Sequence, residues 1–267
     1  PGNKSSYMIE ETVNNYGFID KDRRFDNPDD ALRVLIQGEC WTEGQQTPLN
    51  EHVNVLLESI LRHETGLPVE VIVTATSSSS PASWSLTFEK YGQEFKPDLV
   101  LLFLNAFNMA HIEPNVLKKL IGWDKEHSPY KMYDLDQSGN LLEYPPDMSY
   151  GAFVSKPDPT PIVEDASLTQ MYFLSKDAHP ILEKSFNLLE KILVEKYQSL
   201  MNPDQQKLGL ITGYVKSQLP SEGSKYGQLN ASYDNWMESL NSVTDPNQIA
   251  LLDLSSELFQ KDYTKML

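Results

Sequence analysis

Short runs of consecutive apolar residues alternate with longer segments in which apolar residues recur every three or four positions, beginning at Leu32. The short runs predict β-strands, and the periodic segments between them predict helices. The predicted strands span residues 32–37, 69–75, 99–104, 207–212 and 249–252. The predicted helices span residues 49–65, the segment after Ser80, 168–201, 232–243 and 255–267. Strands and helices that alternate in this way indicate βαβ units and a mostly parallel sheet.

Residues that start or stop helices support these bounds. Gly66 and Pro68 follow the helix predicted over residues 49–65 and supply a stop signal. Pro81 lies where a helix would take its first turn, a position at which proline is tolerated. Pro180 is expected to divide the long segment 168–201 into a shorter and a longer piece. The apolar stripe of the helix over 49–65 consists of Val53, Leu56, Leu57, Ile60 and Leu61.

The stretch 105–165 has little periodicity and is interrupted by seven prolines. Irregular loops longer than ~15 residues are uncommon in compact domains unless they form lids or insertions. We therefore expect an irregular insertion over residues 105–165 that forms one wall of a site. Residues 1–267 as a whole are predicted to form a single domain, because this length suits one large α/β unit with a sizeable core.

The chain is strongly acidic, since 22 Lys and Arg against 38 Asp and Glu give a net charge of −16. Such a charge repels phosphate backbones and anionic lipid headgroups, so we expect no nucleic acid and no membrane surface as a partner. No apolar run approaches the ~18 residues that a bilayer span requires. The chain begins at Pro1 without a methionine, which leaves the compartment open, including the periplasm or secretion after removal of a signal peptide. The oligomeric state also stays open.

One segment combines a predicted strand with a nucleophilic side chain. Residues 33–44 read Arg-Val-Leu-Ile-Gln-Gly-Glu-Cys-Trp-Thr-Glu-Gly, so that an apolar strand runs into a turn bracketed by Gly38 and Gly44. The turn carries Cys40, the only cysteine, which excludes an internal disulfide and a cysteine-rich metal site. Because open α/β sheets bind their ligands at the carboxyl ends of the strands, this turn is a candidate site.

Several segments together resemble a known enzyme family. Residues 38–44, Gly-Glu-Cys-Trp-Thr-Glu-Gly, resemble the Gly-Asp-Ser-x-Thr-x-Gly first block of SGNH (GDSL-like) esterases and acyltransferases. Residues 96–102, a Lys-Pro-Asp-led strand, and Asn-Ala-Phe-Asn at 105–108 resemble the third block. Residues 130–141 look like an inserted hairpin of a larger bacterial subgroup, and 251–254 look like the strand before the final block. The resemblance covers nearly the whole chain. It implies a three-layer α/β/α, flavodoxin-like fold with a mostly parallel five-stranded sheet.

The resemblance also implies roles for three residues. In the family, the first-block serine attacks an acyl ester, while its own N–H, a second-block glycine N–H and the third-block asparagine bind the oxyanion. Carried over, Cys40 is the nucleophile, Asn108 is the amide donor, and Ser78 supplies the second-block N–H. An asparagine at the mouth of a buried strand is also a suitable oxyanion donor on physical grounds, and one such donor is worth roughly 2.7–4 kcal/mol.

The chain departs from the family pattern at several positions. Cys40 replaces serine, and a thiol attacks as thiolate only if its surroundings lower its pKa from ~8.5. Glu39 replaces aspartate, and Met109 stands where aspartate is usual. The final Asp-x-x-His block is represented only by Asp262 with Lys265 in the place of histidine. The complete motif either lies beyond the last residue or is lost, together with the general base.

Three functions follow as hypotheses. The first is ester hydrolysis or acyl transfer on a small or carbohydrate-borne acyl ester through Cys40. The second is a non-catalytic relative that keeps the cleft to bind a glycan or an acylated ligand, because an enzyme without its base retains little of its acceleration. The third is an unrelated flavodoxin-like module that holds a cofactor at the same strand ends. Under the first two readings we expect no cofactor and no metal ion.

Each candidate residue also has a purely structural explanation. Cys40 is of a residue type that often fills apolar cores, and Asn108 is suited to cap the segment that follows it. Residues 77–80 are all serine, which is typical of a solvated turn and helix cap. His52 and His63 are expected to be surface or packing residues. The substitute bases that remain are His111, His127 and His179.

Overall fold

The structure of the chain is a computed structural model. It describes residues 13–45, 47–77, 79–105, 108, 112, 131–147, 179–212 and 229–254. Only the backbone is described for residues 179–182 and 229–235.

Strands and helices alternate along the described residues as the apolar pattern predicts. In chain order they are β1 (Leu32–Gln37), α1 (Cys40–Glu43), α2 (Val53–Thr65), β2 (Val69–Val73), α3 (Pro81–Thr87), β3 (Leu99–Phe103), β4 (Met132–Leu135), β5 (Leu141–Tyr144), α4 (His179–Ile192), β6 (Lys207–Thr212), α5 (Leu229–Thr244) and β7 (Ala250–Asp253). β1 and β6 have the predicted bounds, and β2, β3 and β7 differ from them by one or two residues. Pro81 is the first residue of α3, as predicted. Pro180 lies in the first turn of α4, and residues 168–178 lie outside the described residues.

The central sheet has five strands in the order β2-β1-β3-β6-β7, and all four neighbouring pairs are parallel. α2 lies on one face of the sheet, where Leu57 and Leu61 pack against β1 and β2. α3, α4 and α5 contribute side chains to the large core on the other face. The predicted three-layer α/β/α fold with a five-stranded parallel sheet is therefore confirmed. The single domain over residues 1–267 stays a prediction.

The apolar stripe predicted for α2 is only half buried. Leu57 and Leu61 pack on the sheet, but Val53, Leu56 and Ile60 are 46%, 49% and 57% exposed. The buried side of the helix carries Asn54 and Glu58 instead. Polar residues are stable at these positions because they meet buried charged partners from the segment before β1.

A buried ionic cluster joins that segment to α2. Arg23 donates from Nε to Oδ2 of Asp20 at 2.9 Å and from Nη1 to Oε2 of Glu58 at 3.1 Å. Asn54 donates to Oδ1 of Asp20 at 2.8 Å. The side chains of Arg23 and Asp20 are 1% and 0% exposed, so each charge depends on the others for compensation.

Charged side chains of this cluster, together with Arg62 of α2, cover the free edge of the sheet at β2. An uncovered edge strand presents unpaired N–H and C=O groups to solvent and to other chains. The bonds that occupy these groups are Arg62 Nε to Val69 O (2.8 Å), Val71 N to Glu58 Oε2 (3.1 Å), Arg23 Nη2 to Val71 O, and Val73 N to Asp20 Oδ2 (3.4 Å). The backbone N–H and C=O groups on the outer edge of β2 are thus hydrogen-bonded to side chains of the same molecule.

The predicted hairpin within the insertion is present. β4 and β5 are antiparallel, and the turn between them is closed by Asp136, whose Oδ1 accepts the N–H groups of Ser138 and Asn140. Tyr133 of β4 is fully buried, and its hydroxyl lies 2.9 Å from Oγ of Ser85 in α3. The hairpin is therefore anchored on the core face that α3 and α4 cover. Among the described residues, no helix is long and apolar enough to cross a membrane.

Candidate functional site

The candidate site lies at the carboxyl ends of β1 and β3. β1 is the point at which the strand order reverses, because the chain leaves it over α2 to β2 on one side and returns over α3 to β3 on the other. Such a switch point opens a crevice between the loops that follow the two strands. Cys40 follows β1, and Asn105 and Asn108 follow β3. The topology thus brings the two predicted blocks to neighbouring positions on one edge.

Two glycines allow the tight turn that carries Cys40. Gly44 ends α1 with a φ of +79°, and a Cβ there would lie 2.8 Å from Cε1 of His52. His52 itself is buried, and its Nε2 donates to the carbonyl of Thr47 at 2.7 Å. A Cβ at Gly38 would lie 2.1 Å from Oγ1 of Thr42. Both positions require glycine for steric reasons, and His52 is a packing residue as expected.

The thiol of Cys40 is partly exposed and is not activated by its described neighbours. Burial raises the pKa of the Cys40 thiol above its ordinary value, and the negative charges of Glu39 and Glu43 raise it further. The N–H groups at the start of α1 lower the pKa by a smaller amount. The condition for a reactive thiolate, a lowered pKa, is therefore not met within the described part of the chain.

Asn105 and Asn108 form a reciprocal pair. The N–H of Asn105 donates to Oδ1 of Asn108 at 2.9 Å, and the N–H of Asn108 donates to Oδ1 of Asn105 at 3.0 Å. The first bond fixes the Asn108 amide so that its nitrogen is the free end. This nitrogen is fully buried and makes no hydrogen bond among the described residues. An unpaired buried donor costs about 1–3 kcal/mol, so its retention calls for a functional explanation.

The carboxyl of Glu39 is buried and links the turn after β1 to the segment after β3. It is 3% exposed, and its Oε1 accepts a long hydrogen bond from Nδ2 of Asn105 at 3.5 Å. Burial raises the pKa of Glu39, while the nearby amides of Asn105 and Asn108 oppose this rise. The Asn108 nitrogen is therefore close to the carboxyl, although neither it nor Oε2 of Glu39 completes a hydrogen bond within normal distance. This contact connects the residue next to Cys40 with the predicted amide donor.

A buried polar network beneath the site was not anticipated. Gln37, the last residue of β1, donates from Nε2 to Oγ1 of Thr74 at 3.0 Å and to the carbonyl of Trp84 at 3.1 Å. Its Oε1 accepts the hydroxyl of Tyr197 at 2.7 Å. A glutamine inside an apolar strand was the available signal. These bonds hold the end of β1 in place and fix the position from which the Cys40 turn departs.

The remaining predicted site residues lie largely outside the described residues. This holds for Ser78, although its neighbours Ser77 and Ser79 are described. Ser77 donates to Oε2 of Glu43 at 2.5 Å, and Oγ of Ser79 accepts the indole N–H of Trp84 at 2.6 Å. The other residues concerned are His111, His127, the side chain of His179, Met109, Asp262 and Lys265. Within the described ranges, no group of three or more His, Cys, Asp or Glu side chains is arranged to hold a metal ion.

The charge of Glu39 gives a direct prediction for Cys40. Glu39→Gln removes the negative charge beside the thiol but keeps the size and burial of the side chain. We expect the pKa of Cys40 to fall, because an anionic neighbour disfavours the thiolate. The rate of alkylation by iodoacetamide, measured from pH 6 to 10, should therefore rise at lower pH than in the unaltered chain.

Glu43→Gln is the matched control for this measurement. Glu43 affects the Cys40 thiol less than Glu39 does, and its carboxylate is held by Ser77. Its replacement should shift the alkylation profile by a smaller amount. A shift that is equal for both variants, or absent for Glu39→Gln, contradicts the assigned contact.

No family model matches the chain, and no curated protein matches it. Among solved structures, the chain is similar to an acetyl xylan esterase named AlAXEase, with 13% identity, a TM-score of 0.47, and coverage of 88% of this chain and 83% of that chain. It is similar to a catalytic mutant of Axe2, an acetylxylan esterase from Geobacillus stearothermophilus, with 10% identity, a TM-score of 0.45, and coverage of 88% and 80%. A lipase/acylhydrolase from Enterococcus faecalis has 14% identity, a TM-score of 0.43, and coverage of 87% and 81%. These are similarities of the backbone fold.

Proposed function

We propose that the chain hydrolyses or transfers a small or carbohydrate-borne acyl ester, with Cys40 as the nucleophile and Asn108 as an oxyanion donor. The observation that carries the proposal is the buried, unpaired amide nitrogen of Asn108, held in one orientation by the N–H of Asn105. A preorganised donor of this kind stabilises charge that develops only in the transition state. The effect of the Asn108 amide on the pKa of Glu39, the residue before Cys40, supports a position of this donor beside the turn that carries the thiol.

The proposed reaction proceeds in two steps through a thioester intermediate on Cys40. The sulfur of Cys40 attacks the ester carbonyl carbon while a base takes the thiol proton, and the carbonyl oxygen becomes an oxyanion held by N–H donors. The bond to the alcohol oxygen then breaks, and the alcohol leaves with that proton. Water or a second alcohol then attacks the thioester carbonyl carbon and gives its proton to the base, the carbon–sulfur bond breaks, and the carboxylic acid or new ester leaves while the base returns the proton to the sulfur. The backbone N–H groups of Cys40 and Ser78 are the further donors in this proposal.

The proton acceptor in this reaction is a residue whose side chain lies outside the described part of the structure. A thiol whose pKa is raised needs a base within hydrogen-bond reach to attack at neutral pH. His111, His127 and His179 are the candidates within this sequence, and an Asp/His pair beyond Leu267 is the alternative that the family resemblance implies. We expect one of the single replacements His111→Gln, His127→Gln and His179→Gln to lower kcat if that histidine is the base. If none of them lowers kcat, the base is the Asp/His pair that the family resemblance implies.

The experiment that tests the proposal is to trap the acyl-enzyme. The purified chain is incubated with p-nitrophenyl acetate or with an acetylated sugar, quenched in acid, and digested for mass spectrometry. One acetyl group on the peptide that carries Cys40 is the expected result, and Cys40→Ala should abolish it. Acetylation that is confined to surface lysines, with no release of p-nitrophenol above the buffer rate, contradicts the proposal.

One observation favours the second candidate, a non-catalytic protein that binds a glycan or an acylated ligand in the same crevice. The pKa of the Cys40 thiol is raised by burial and by Glu39 and Glu43 rather than lowered. Cys40→Ser distinguishes the two functions in the p-nitrophenyl acetate assay. Serine-supported turnover indicates an intact catalytic frame, whereas continued inactivity together with saturable binding of the sugar indicates a binding protein.

A further inference from the structure

One aromatic side chain is exposed to solvent at the candidate site. Trp41 is 65% exposed, and it is the only aromatic among the exposed large hydrophobic residues that the structure describes. The other two tryptophans with described side chains, Trp84 and Trp236, are 1% and 2% exposed and donate their indole N–H groups to Ser79 and Thr212. An exposed indole forfeits the large gain that its burial in a core provides. The position of Trp41 therefore calls for an explanation other than core packing.

The backbone on both sides of Trp41 is held in place. The carbonyl of Glu39 accepts the N–H groups of Thr42 and Glu43, each at 2.8 Å. Thr42 is 5% exposed, and the carboxylate of Glu43 accepts the hydroxyl of Ser77 at 2.5 Å. The indole is thus attached to a fixed turn, so a ligand that contacts it does not have to order the backbone first.

The residues that follow Trp41 in the turn are polar. They include Thr42, Glu43, Gln45 and Thr47, of which Gln45 is exposed and Glu43 is partly buried. An acyl chain needs a continuous apolar groove, because only the methylene groups that leave water contribute to its binding. A pyranose ring has an apolar face of C–H groups, which matches the negative face of an indole, and a rim of hydroxyls, which donate to carboxylate and amide oxygens. A single aromatic plane with polar neighbours therefore fits a sugar better than an acyl chain.

The charge of this loop favours an uncharged sugar. Residues 38–52 contain three glutamates and no lysine or arginine, and the whole chain carries a net charge of −16. Negative side chains of this density repel a uronate, a sulfate or a phosphate group. A neutral pyranose is free of this repulsion.

We infer that Trp41 is the stacking platform for the alcohol part of the substrate, a neutral pyranose that carries an O-acyl group. The inference rests on the proposed function for the ester bond and on the exposed indole for the sugar. Trp41 directly follows Cys40, and consecutive Cα atoms lie ~3.8 Å apart, so a sugar whose ester is held at the sulfur lies within reach of the indole. The buried amide nitrogen of Asn108, which makes no hydrogen bond among the described residues, independently indicates a ligand at this edge of the sheet.

Two esters that share their acyl group test this inference, a mono-acetylated methyl glucopyranoside and ethyl acetate, with acetate release as the measurement. We expect Trp41→Ala to lower kcat/KM for the sugar ester about tenfold more than for ethyl acetate, mainly through KM. Trp41→Phe keeps an aromatic plane and should recover part of this preference, whereas Trp41→Leu should not. Leu67→Ala is the control, because Leu67 is 56% exposed but precedes β2 at the amino ends of the strands, and it should leave both values unchanged.

A binding measurement separates a failure of this inference from a failure of the proposed function. In Cys40→Ala, we expect the acetylated sugar to protect tryptophan fluorescence from quenching by acrylamide, and the protection should be absent when Trp41→Phe is added. This result supports the inference even if neither ester is hydrolysed. Lack of protection, or an equal loss of kcat/KM for both esters in Trp41→Ala, overturns the inference, while hydrolysis of ethyl acetate would still support the proposed function. A Trp41→Ala effect that depends on the length of the acyl chain rather than on the alcohol also overturns it, because the indole would then hold the acyl group.

Discussion

Asn108→Ala is expected to lower the kcat of ester hydrolysis about 10²–10³-fold, the usual loss on removal of one oxyanion donor. KM should change little, because the donor acts on charge that exists only in the transition state. The expectation follows from the fixed amide of Asn108, whose Oδ1 is bound to Asn105 and whose nitrogen is free. Steady-state kinetics with p-nitrophenyl acetate provide the measurement.

Asn108→Asp separates the donor from its structural role. Aspartate keeps the oxygen that accepts the N–H of Asn105 but loses the N–H donors, so the loss of kcat should be at least as large as for alanine. Asn140→Ala, in the exposed turn of the hairpin, is the control and should retain the full rate. An increase in KM at unchanged kcat would assign Asn108 to ligand binding and would favour the non-catalytic alternative.

Arg23→Met is expected to reduce the free energy of unfolding by about 3–5 kcal/mol, because it leaves buried charges without their partner. Asp20 would lose a bond of 2.9 Å and Glu58 a bond of 3.1 Å, and both carboxyls remain inside the protein. The carbonyl of Val71 would also lose its donor. Urea unfolding at pH 7, followed by circular dichroism, measures the change.

The pH dependence of this loss has a definite sign. Burial on its own raises the pKa of Glu58, but bonds from Lys21 and the N–H of Val71 and the charge of Arg23 bring it below its ordinary value. In the unaltered chain this stabilisation is present above the unfolded pKa of about 4.3 and is lost as the pH falls through the folded pKa. Without Arg23, the pKa of Glu58 should rise, although Lys21 and Arg62 still pair with its carboxylate, so the difference between the two chains should shrink as the pH falls through the folded pKa of Glu58.

Arg24→Met is the matched control for the stability measurement. Arg24 pairs with Asp26 on the surface, where both side chains are more than half exposed. Its loss should be far smaller and should show no comparable dependence on pH. Equal losses for the two variants would mean that the buried cluster contributes no more than a surface pair.

The strands were predictable because strands that are covered on both faces consist of consecutive apolar residues. β1 and β6 have the predicted bounds, and β3 ends one residue early. The wide turns of Phe88–Gly92 after α3 were not predicted. Gly92, at the end of these turns, lies close to Phe88 and Leu35, since a Cβ there would lie 2.6 Å and 2.9 Å from their side chains. Such a contact is a property of the packed core and leaves no periodic signal.

The burial of α2 was predictable only in part. Periodicity locates a helix over these residues, but it assigns Val53, Leu56 and Ile60 to the same stripe as the side chains that do pack. Glu58 is turned inward because it meets Arg23, which lies 35 residues earlier. A single sequence does not reveal a partner at that separation, so the exposed apolar side of the helix could not be foreseen.

The candidate site was predictable at the level of its strand ends. The positions of Cys40 and Asn108 after neighbouring parallel strands follow from the order of the apolar runs and from the family resemblance. Glu39 was noted only as a replacement of aspartate, and the pairing of Asn105 with Asn108 was missed. Two asparagines three residues apart after a buried strand were the signal for this pair, since such spacing favours reciprocal side-chain to backbone bonds.

The pairing of the outer edge of β2 with Arg62, Glu58, Arg23 and Asp20 also determines how the chain can aggregate. Cross-β growth requires a row of free backbone groups onto which an incoming chain can add. At β2 this row is already saturated by guanidinium and carboxylate groups. Fibril templating by the folded protein is therefore blocked on that flank, and among the described strands of this sheet β7 forms the other edge.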